Sequence, residues 1–365
     1  MRPNKLLSLV AAAPLALLTA CAGGATTGGS PASGEGVQLT VSSFVTEGHP
    51  LALAFDEWME EVTNRTDGAV TFETFYNGSL CSGPDSIACA EDRTADIVLA
   101  TPAYSPDMTL ANISSVGFQT SDLQANQDAL NKLYEDFPDA RAEYEDRDLT
   151  LLYSLNSATA LLASIDRVDS LEDIEGMSLR AAGAMTDGIA ELGAQPVATD
   201  PAEIYEALGR GTIDGALFGV EHIVDYRLPE VAPYYYDIGE FAGSYAVVNY
   251  VMNLSAFESL GDEYQSVVRE VSGEIAGDYV EEYLIPATED GCRELEEAGV
   301  TVEQIGPESV GEAWRQSAGD KQRQAWESNA AQLTDATAMF DAYAAYIEEF
   351  SSGEASSVAE ICAGS

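Results

Sequence analysis

The sequence predicts an α/β protein of two domains. Strand-like and helix-like segments alternate along the chain, which argues for parallel sheets covered on both faces by helices. About 330 residues follow a glycine-rich opening, more than one hydrophobic core usually holds. The composition is 46% hydrophobic, enough to fold despite a formal net charge of −46.

Taken in order, VQLTVSSF (37–44) alternates as a strand, and Leu51, Phe55, Trp58, Met59 and Val62 then recur at helical spacing. AVTFETFY (69–76) is a second strand, introduced by Asp67-Gly68, and the short apolar DIVLATPA (96–103) is a third. Helical stretches run from Asp122 to Arg147, and LTLLYSLN (149–156) leaves the first sheet. The same grammar then restarts: SLEDIEGMSLRAAG, AMTDGIAELGAQPVAT and DPAEIYEALGRGTIDGALFG each read as helix, turn, strand. In the last of these, Asp200 and Pro201 open the helix, Gly211 stops it, and Gly215 clears the strand end. YAVVNYVMN (245–253) is a long strand returning to the first domain. Long helices follow over 256–285, then the strand-like TVEQI and a helical C-terminus carrying Trp314, Trp326, Phe340 and Tyr343.

The first residues place this body outside the cell. Arg2 and Lys5, an apolar run from Leu6 to Leu18 and the box Leu18-Thr19-Ala20-Cys21 describe an export signal over 1–20 that ends at a lipid-modified cysteine. Residues 21–36, small and glycine-rich, form a flexible tether. Four further cysteines remain, Cys81, Cys89, Cys292 and Cys362, an even number in an oxidising compartment. Three pairings exist, and the favoured one joins Cys81 to Cys89 around a turn-rich loop and Cys292 to Cys362 as a staple on the C-terminal tail.

Charge and motif weigh against several functions. With 62 acidic residues against 16 basic ones, nucleic acid and anionic membrane surfaces are poor partners, so the membrane is met through the lipid anchor alone. No cysteine–histidine spacing suggests a metal. A secreted hydrolase needs a nucleophile and a base, yet the two histidines, His49 and His222, stand near no GxSxG elbow and no carboxylate pair stands out by spacing.

From Leu39 to Tyr283 the order of features resembles the substrate-binding proteins of tripartite ATP-independent periplasmic (TRAP) transporters, the DctP-type family. His49-Pro50 with Phe55, Val62, Thr66 and Gly68 is similar to the family's opening, and LEDIEGMSLRAAG to its segment before the key strand. LGAQPVATDPAEIYEALGRGTIDGA and YVMNLSAFESLGDEYQSVV match two further blocks in family order. The resemblance implies a two-lobed, periplasmic-binding-protein-like (type II-like) fold with crossing strands and a long shared helix. Lobe I would comprise 37–152 and 246–290, and lobe II 153–245 and 291–365.

It also implies the chemistry: a monomeric extracytoplasmic lipoprotein that captures a small organic acid between its lobes and delivers it to the small and large TRAP membrane subunits, without ATP or cofactor. A ligand-sensing extracellular domain for a membrane receptor is the first alternative and a secreted hydrolase the second. Arg180 matches the family arginine that grips the ligand carboxylate, chemistry that a guanidinium fork suits. Phe218 stands where the family commonly has Asn, which tilts the ligand toward an apolar or ring face. NSATALLAS lacks the second cleft arginine of some relatives, leaving Asn156 and Ser157 as polar contacts, and Leu80-Cys81 replaces a Leu-Gly. Strand ends at a cleft are ligand positions in open α/β folds, which adds Tyr76, Asn77 and Thr101; Asn249 and His49 complete the expected set.

Overall fold

The computed structural model describes residues 36–157, 159–243, 247–306, 308–351 and 358–364, so the export signal, Cys21 and nearly all of the tether lie outside the described residues. The elements are, in chain order, β1 (Val37–Ser42), α1 (Pro50–Arg65), β2 (Val70–Phe75), α2 (Ser86–Glu91), β3 (Ile97–Ala100), α3 (Leu123–Asp136), α4 (Pro138–Glu145), β4 (Leu149–Asn156) and β5 (Leu161–Ser164). Then come β6 (Ser178–Arg180), α5 (Met185–Ala190), β7 (Gln195–Val197), α6 (Ile204–Gly209), β8 (Gly215–Phe218), α7 (Val220–Asp225), β9 (Tyr234–Asp237) and α8 (Gly239–Ala242). The rest are β10 (Val247–Asn253), α9 (Leu254–Ser259), α10 (Gly261–Tyr279), α11 (Ile285–Glu297), β11 (Val302–Gln304), α12 (Glu308–Ala330), α13 (Ala336–Phe350) and α14 (Val358–Gly364).

Two sheets result, ordered β2-β1-β3-β10-β4 and β11-β9-β5-β8-β6-β7. They are mixed where alternation alone predicts parallel strands. β10 lies antiparallel to β3 and β4, and β5 antiparallel to β8 and β9. The cause is crossing: the chain passes from β4 in the first sheet to β5 in the second over 157–160, and returns from β9 to β10. β4 stays paired with β10 up to Asn156, so the crossing comes after that strand rather than at its start. At the centre of the second sheet, a Cβ on Gly215 would stand 2.7 Å from the Ala163 carbonyl oxygen, so the close approach of β5 to β8 requires glycine there.

α1 anchors the first lobe. Its stripe Leu51, Phe55, Trp58 and Val62 is buried; Phe55 stacks on Tyr250 at 4.0 Å, and the Trp58 indole donates to Ser272 of α10 at 3.0 Å. α10 and α11 form one continuous helical run interrupted by a π-helical turn over Val280–Leu284. Pro286 follows that turn; it has no N–H for the ladder and its ring crowds the carbonyl one turn back, which a π turn relieves. Residues of α10 pack in the core of the first lobe and those of α11 in a core of the second, so this is a helix shared by both.

A second bridging helix was not expected. On α12, Trp314 and Ala318 pack with the second lobe, whereas Trp326 and Ala330 pack with Leu130, Leu133 and Tyr134 of the first. α13 continues there through Met339, Phe340 and Tyr343. The sequence expectation gave all of 291–365 to the second lobe; the apolar faces of these helices place residues 326–347 on the first. Cys81 is bonded to Cys89 (Cα–Cα 6.4 Å) and Cys292 to Cys362 (5.1 Å). Among the described residues, no helix is long and apolar enough to cross a membrane.

Candidate functional site

The C-terminal ends of β1 and β3 in one sheet and of β6 and β8 in the other converge on a crevice between the lobes, the position where open α/β sheets hold ligands. Arg180 is the last residue of β6. It is 4% exposed and, among the described residues, the one buried lysine or arginine. Its Nε donates to the Thr199 carbonyl at 3.3 Å and its Nη1 to the Leu217 carbonyl at 3.2 Å, while the Phe218 ring lies 4.3 Å below the guanidinium carbon. These contacts hold the group flat and pointing between the lobes. No carboxylate of the described residues comes within 4.0 Å of it, although acidic side chains pair with most of the other arginines. Asp200 borders the same crevice without an ion pair to Arg180; a buried cation with no carboxylate in direct contact is costly, and an anion arriving there lowers that cost.

Cavities lie on both sides of Arg180. The outer one, about 730 Å³, is walled by the loops before and after α5, by 103–116 and by α12, and is of ligand size. The inner one, about 80 Å³, is lined by Phe44, Tyr104, Phe218, Tyr226 and Val248 with the hydroxyls of Thr101 and Ser157. The larger cavity is mostly loop-lined, whereas the smaller sits at the strand ends; Arg180, Tyr104, Ala103 and Ala182 border both, so the two are compartments of one interlobe cleft. Tyr104 stands between them, its hydroxyl accepting from Arg180 Nη2 at 3.2 Å. Burial holds its phenol above the usual range, with the Arg180 charge pulling the other way.

Two of the other contacts between the lobes lie beside the cleft. Gln322 of α12 accepts from the Gly117 amide at 3.0 Å and donates to the Ala184 carbonyl at 2.6 Å. His49, N-cap of α1, receives the Leu51 amide on Nδ1 at 3.2 Å, which leaves Nε2 to donate to His222 Nδ1 of α7 at 2.9 Å. The rings stack at 4.4 Å. Burial, then the neighbouring His222, holds the His49 pKa well below its ordinary 6.5.

The residues expected from sequence fall into two groups. Arg180, Phe218 and Thr101 line the cleft, and His49 reaches it through His222. The other four do not line it. Asn156 is wholly buried behind the first sheet, donating to the Leu123 carbonyl and accepting from Asn126. Asn249 donates to the Tyr144 hydroxyl at 2.6 Å. Tyr76 donates to Asp56, and Asn77 is an exposed turn residue with φ 55°. Tyr104 and α12 were missed: Tyr104 belongs to a short 3₁₀ turn without periodicity, and a helical period does not say which lobe a helix touches. Among the described residues no His, Cys, Asp and Glu cluster has the makings of a metal site.

Comparison with known proteins agrees with this geometry. Residues 41–329 match the profile described as bacterial extracellular solute-binding protein, family 7 (DctP). A solute-binding protein of Sulfitobacter sp. (strain NAS-14.1) is 27% identical over 272 residues, 72% of this chain and 79% of the relative. A TRAP solute-binding protein from Rhodoferax ferrireducens T118, crystallised with copurified benzoate, superposes with TM-score 0.77 at 19% identity, covering 86% of this chain and 98% of that one. An extracytoplasmic solute receptor of Bordetella pertussis binding pyroglutamic acid superposes with TM-score 0.75 at 22% identity, covering 84% and 99%. The two-lobed fold, the cleft at the strand ends and the match across most of the chain lead to one conclusion: this protein belongs to family 7 of the bacterial extracellular solute-binding proteins, the DctP family.

Proposed function

We propose that the protein is an extracytoplasmic receptor, tethered to the membrane by a lipid on Cys21, that takes up a small organic acid through Arg180 and hands it to TRAP-type membrane subunits. The observation that carries this reading is the guanidinium of Arg180, buried between the lobes with no carboxylate partner among the described residues. A fork held in place by two backbone carbonyls receives a carboxylate with little reorganisation. The aromatic walls of the inner compartment favour an acid with an apolar or ring face over a polyhydroxylated one. Closure follows from binding: the anion on Arg180 of the second lobe stabilises the shut form against the first. The wider family is one of solute receptors rather than enzymes.

Calorimetry with benzoate, pyroglutamate and D-glucuronate tests this. At least one should bind the wild type with saturable heat, and Arg180→Ala should weaken it by about 2–5 kcal/mol, because a desolvated carboxylate loses its partner. Equal affinities for wild type and variant remove Arg180 from the site.

A further inference from the structure

We infer that Tyr104 is a specificity-determining residue of the cleft, supplying from the first lobe the second hydrogen-bond donor to the carboxylate that Arg180 binds from the second. The inference rests on the carboxylate reading of Arg180. Three of the five guanidinium N–H groups have acceptors among the described residues, Thr199, Leu217 and Tyr104, which leaves two for a ligand. The phenol oxygen of Tyr104 is used as an acceptor, so its proton is free of the guanidinium, and no described residue accepts it. An anion resting on the remaining guanidinium N–H groups therefore has an O–H donor beside it at hydrogen-bond range.

The ring is held for that task. Phe44 meets it edge-on at 6.4 Å, and Gly83, inside the loop closed by Cys81 and Cys89, lies so close that a Cβ there would stand 3.0 Å from Tyr104 Cε2. Any larger residue there would press the ring aside by a few tenths of an ångström. The loop thus acts as a buttress: it fixes the phenol toward Arg180. Because the two donors come from different lobes, a carboxylate bridging them ties anion capture to closure. The same pair explains how the cleft manages without a second arginine, since residues 159–164, where one would lie, hold only Thr, Ala, Leu and Ser. A neutral phenol in place of a second cation suits a ligand with one carboxylate.

The test is Tyr104→Phe, which keeps the ring and removes the donor, measured beside Arg180→Ala with benzoate, pyroglutamate and D-glucuronate. For the probe that the wild type binds tightest, Tyr104→Phe should lower affinity about tenfold or more, since hydrogen bonds to charged groups are among the strong ones. The loss should appear in the off-rate while the on-rate changes little, and the ligand-free melting temperature should hold, an outcome that a merely structural role would not give. Unchanged or tighter binding by Tyr104→Phe overturns the inference. If Arg180→Ala abolishes binding in that case, the parent reading survives alone. Should Arg180→Ala leave affinity intact, or the wild type bind none of the three, both fall together.

Discussion

Acidification should loosen the lobes through the histidine pair. His49 is 1% exposed and both ring nitrogens are engaged, Nδ1 by the Leu51 amide and Nε2 by His222. Protonating His49 sets a second N–H against the Leu51 amide, and protonating His222 at Nδ1 breaks the interlobe bond. Among the described residues, the charged and titratable groups facing the pair include Glu221, whose Oε1 is 3.9 Å from His222 Nε2 and accepts from Ser157 at 2.6 Å, and Tyr226, stacked on His222 at 6.1 Å. A folded-state pKa below the unfolded 6.5 means that the unfolded chain binds more protons. The stability due to neutral His49 is therefore complete above pH 6.5 and is lost as pH falls below it, until the folded pKa is reached. The loss grows with each step of acidification below pH 6.5, because burial and the neighbouring His222 keep folded His49 neutral while the unfolded chain takes up the proton. Burial raises the pKa values of Asp56, Asp128 and Glu143, and these groups act in the opposite direction. His49→Gln isolates the histidine, because glutamine offers a donor and an acceptor and does not titrate. Urea unfolding at pH 7.5, 6.5, 5.5 and 5.0 should show the wild type losing more stability than the variant, with the gap opening below pH 6.5. Parallel losses in the two proteins refute the argument.

Phe218→Asn, which restores the residue common in the family, should weaken a ring-bearing acid by about 0.5–2 kcal/mol through loss of the ring beneath Arg180, read by calorimetry with benzoate. Replacing Cys292 and Cys362 by serine should destabilise the protein by about 4 kcal/mol on the loop-entropy estimate, and Cys81 with Cys89 by about 2.5 kcal/mol, as their separations of 70 and 8 residues imply; denaturant midpoints check the order. Trp58→Ala should cost about 3–5 kcal/mol in the same assay, because it empties the stacked core between α1 and α10 and leaves Ser272 without its donor.

Much of the fold is legible because burial imposes periodicity. The α1 stripe, the repeated helix–turn–strand of 170–219 and the apolar β10 all announce themselves. Arg180 is legible for a different reason, as a cation in an apolar strand of a chain poor in cations. Antiparallel pairing is not legible, since alternation does not record direction. Asn156 and Asn249 show a second limit: both lie on strands that end near the cleft, but their side chains point to the helix-covered side, where α3 and α4 supply partners. Contacts across long separations escape altogether. His49 and His222 are 173 residues apart, and nothing local to either predicts the other. The same holds for Gln322, whose role depends on two loops far from it in sequence.

The most direct measurement is a crystal structure of the wild type grown with the tightest-binding of benzoate, pyroglutamate and D-glucuronate. The account predicts the lobes shut, with carboxylate oxygens within hydrogen-bond range of Arg180 and of the Tyr104 hydroxyl. A ligand seated elsewhere, with the Arg180 guanidinium still lacking an anion, would contradict it.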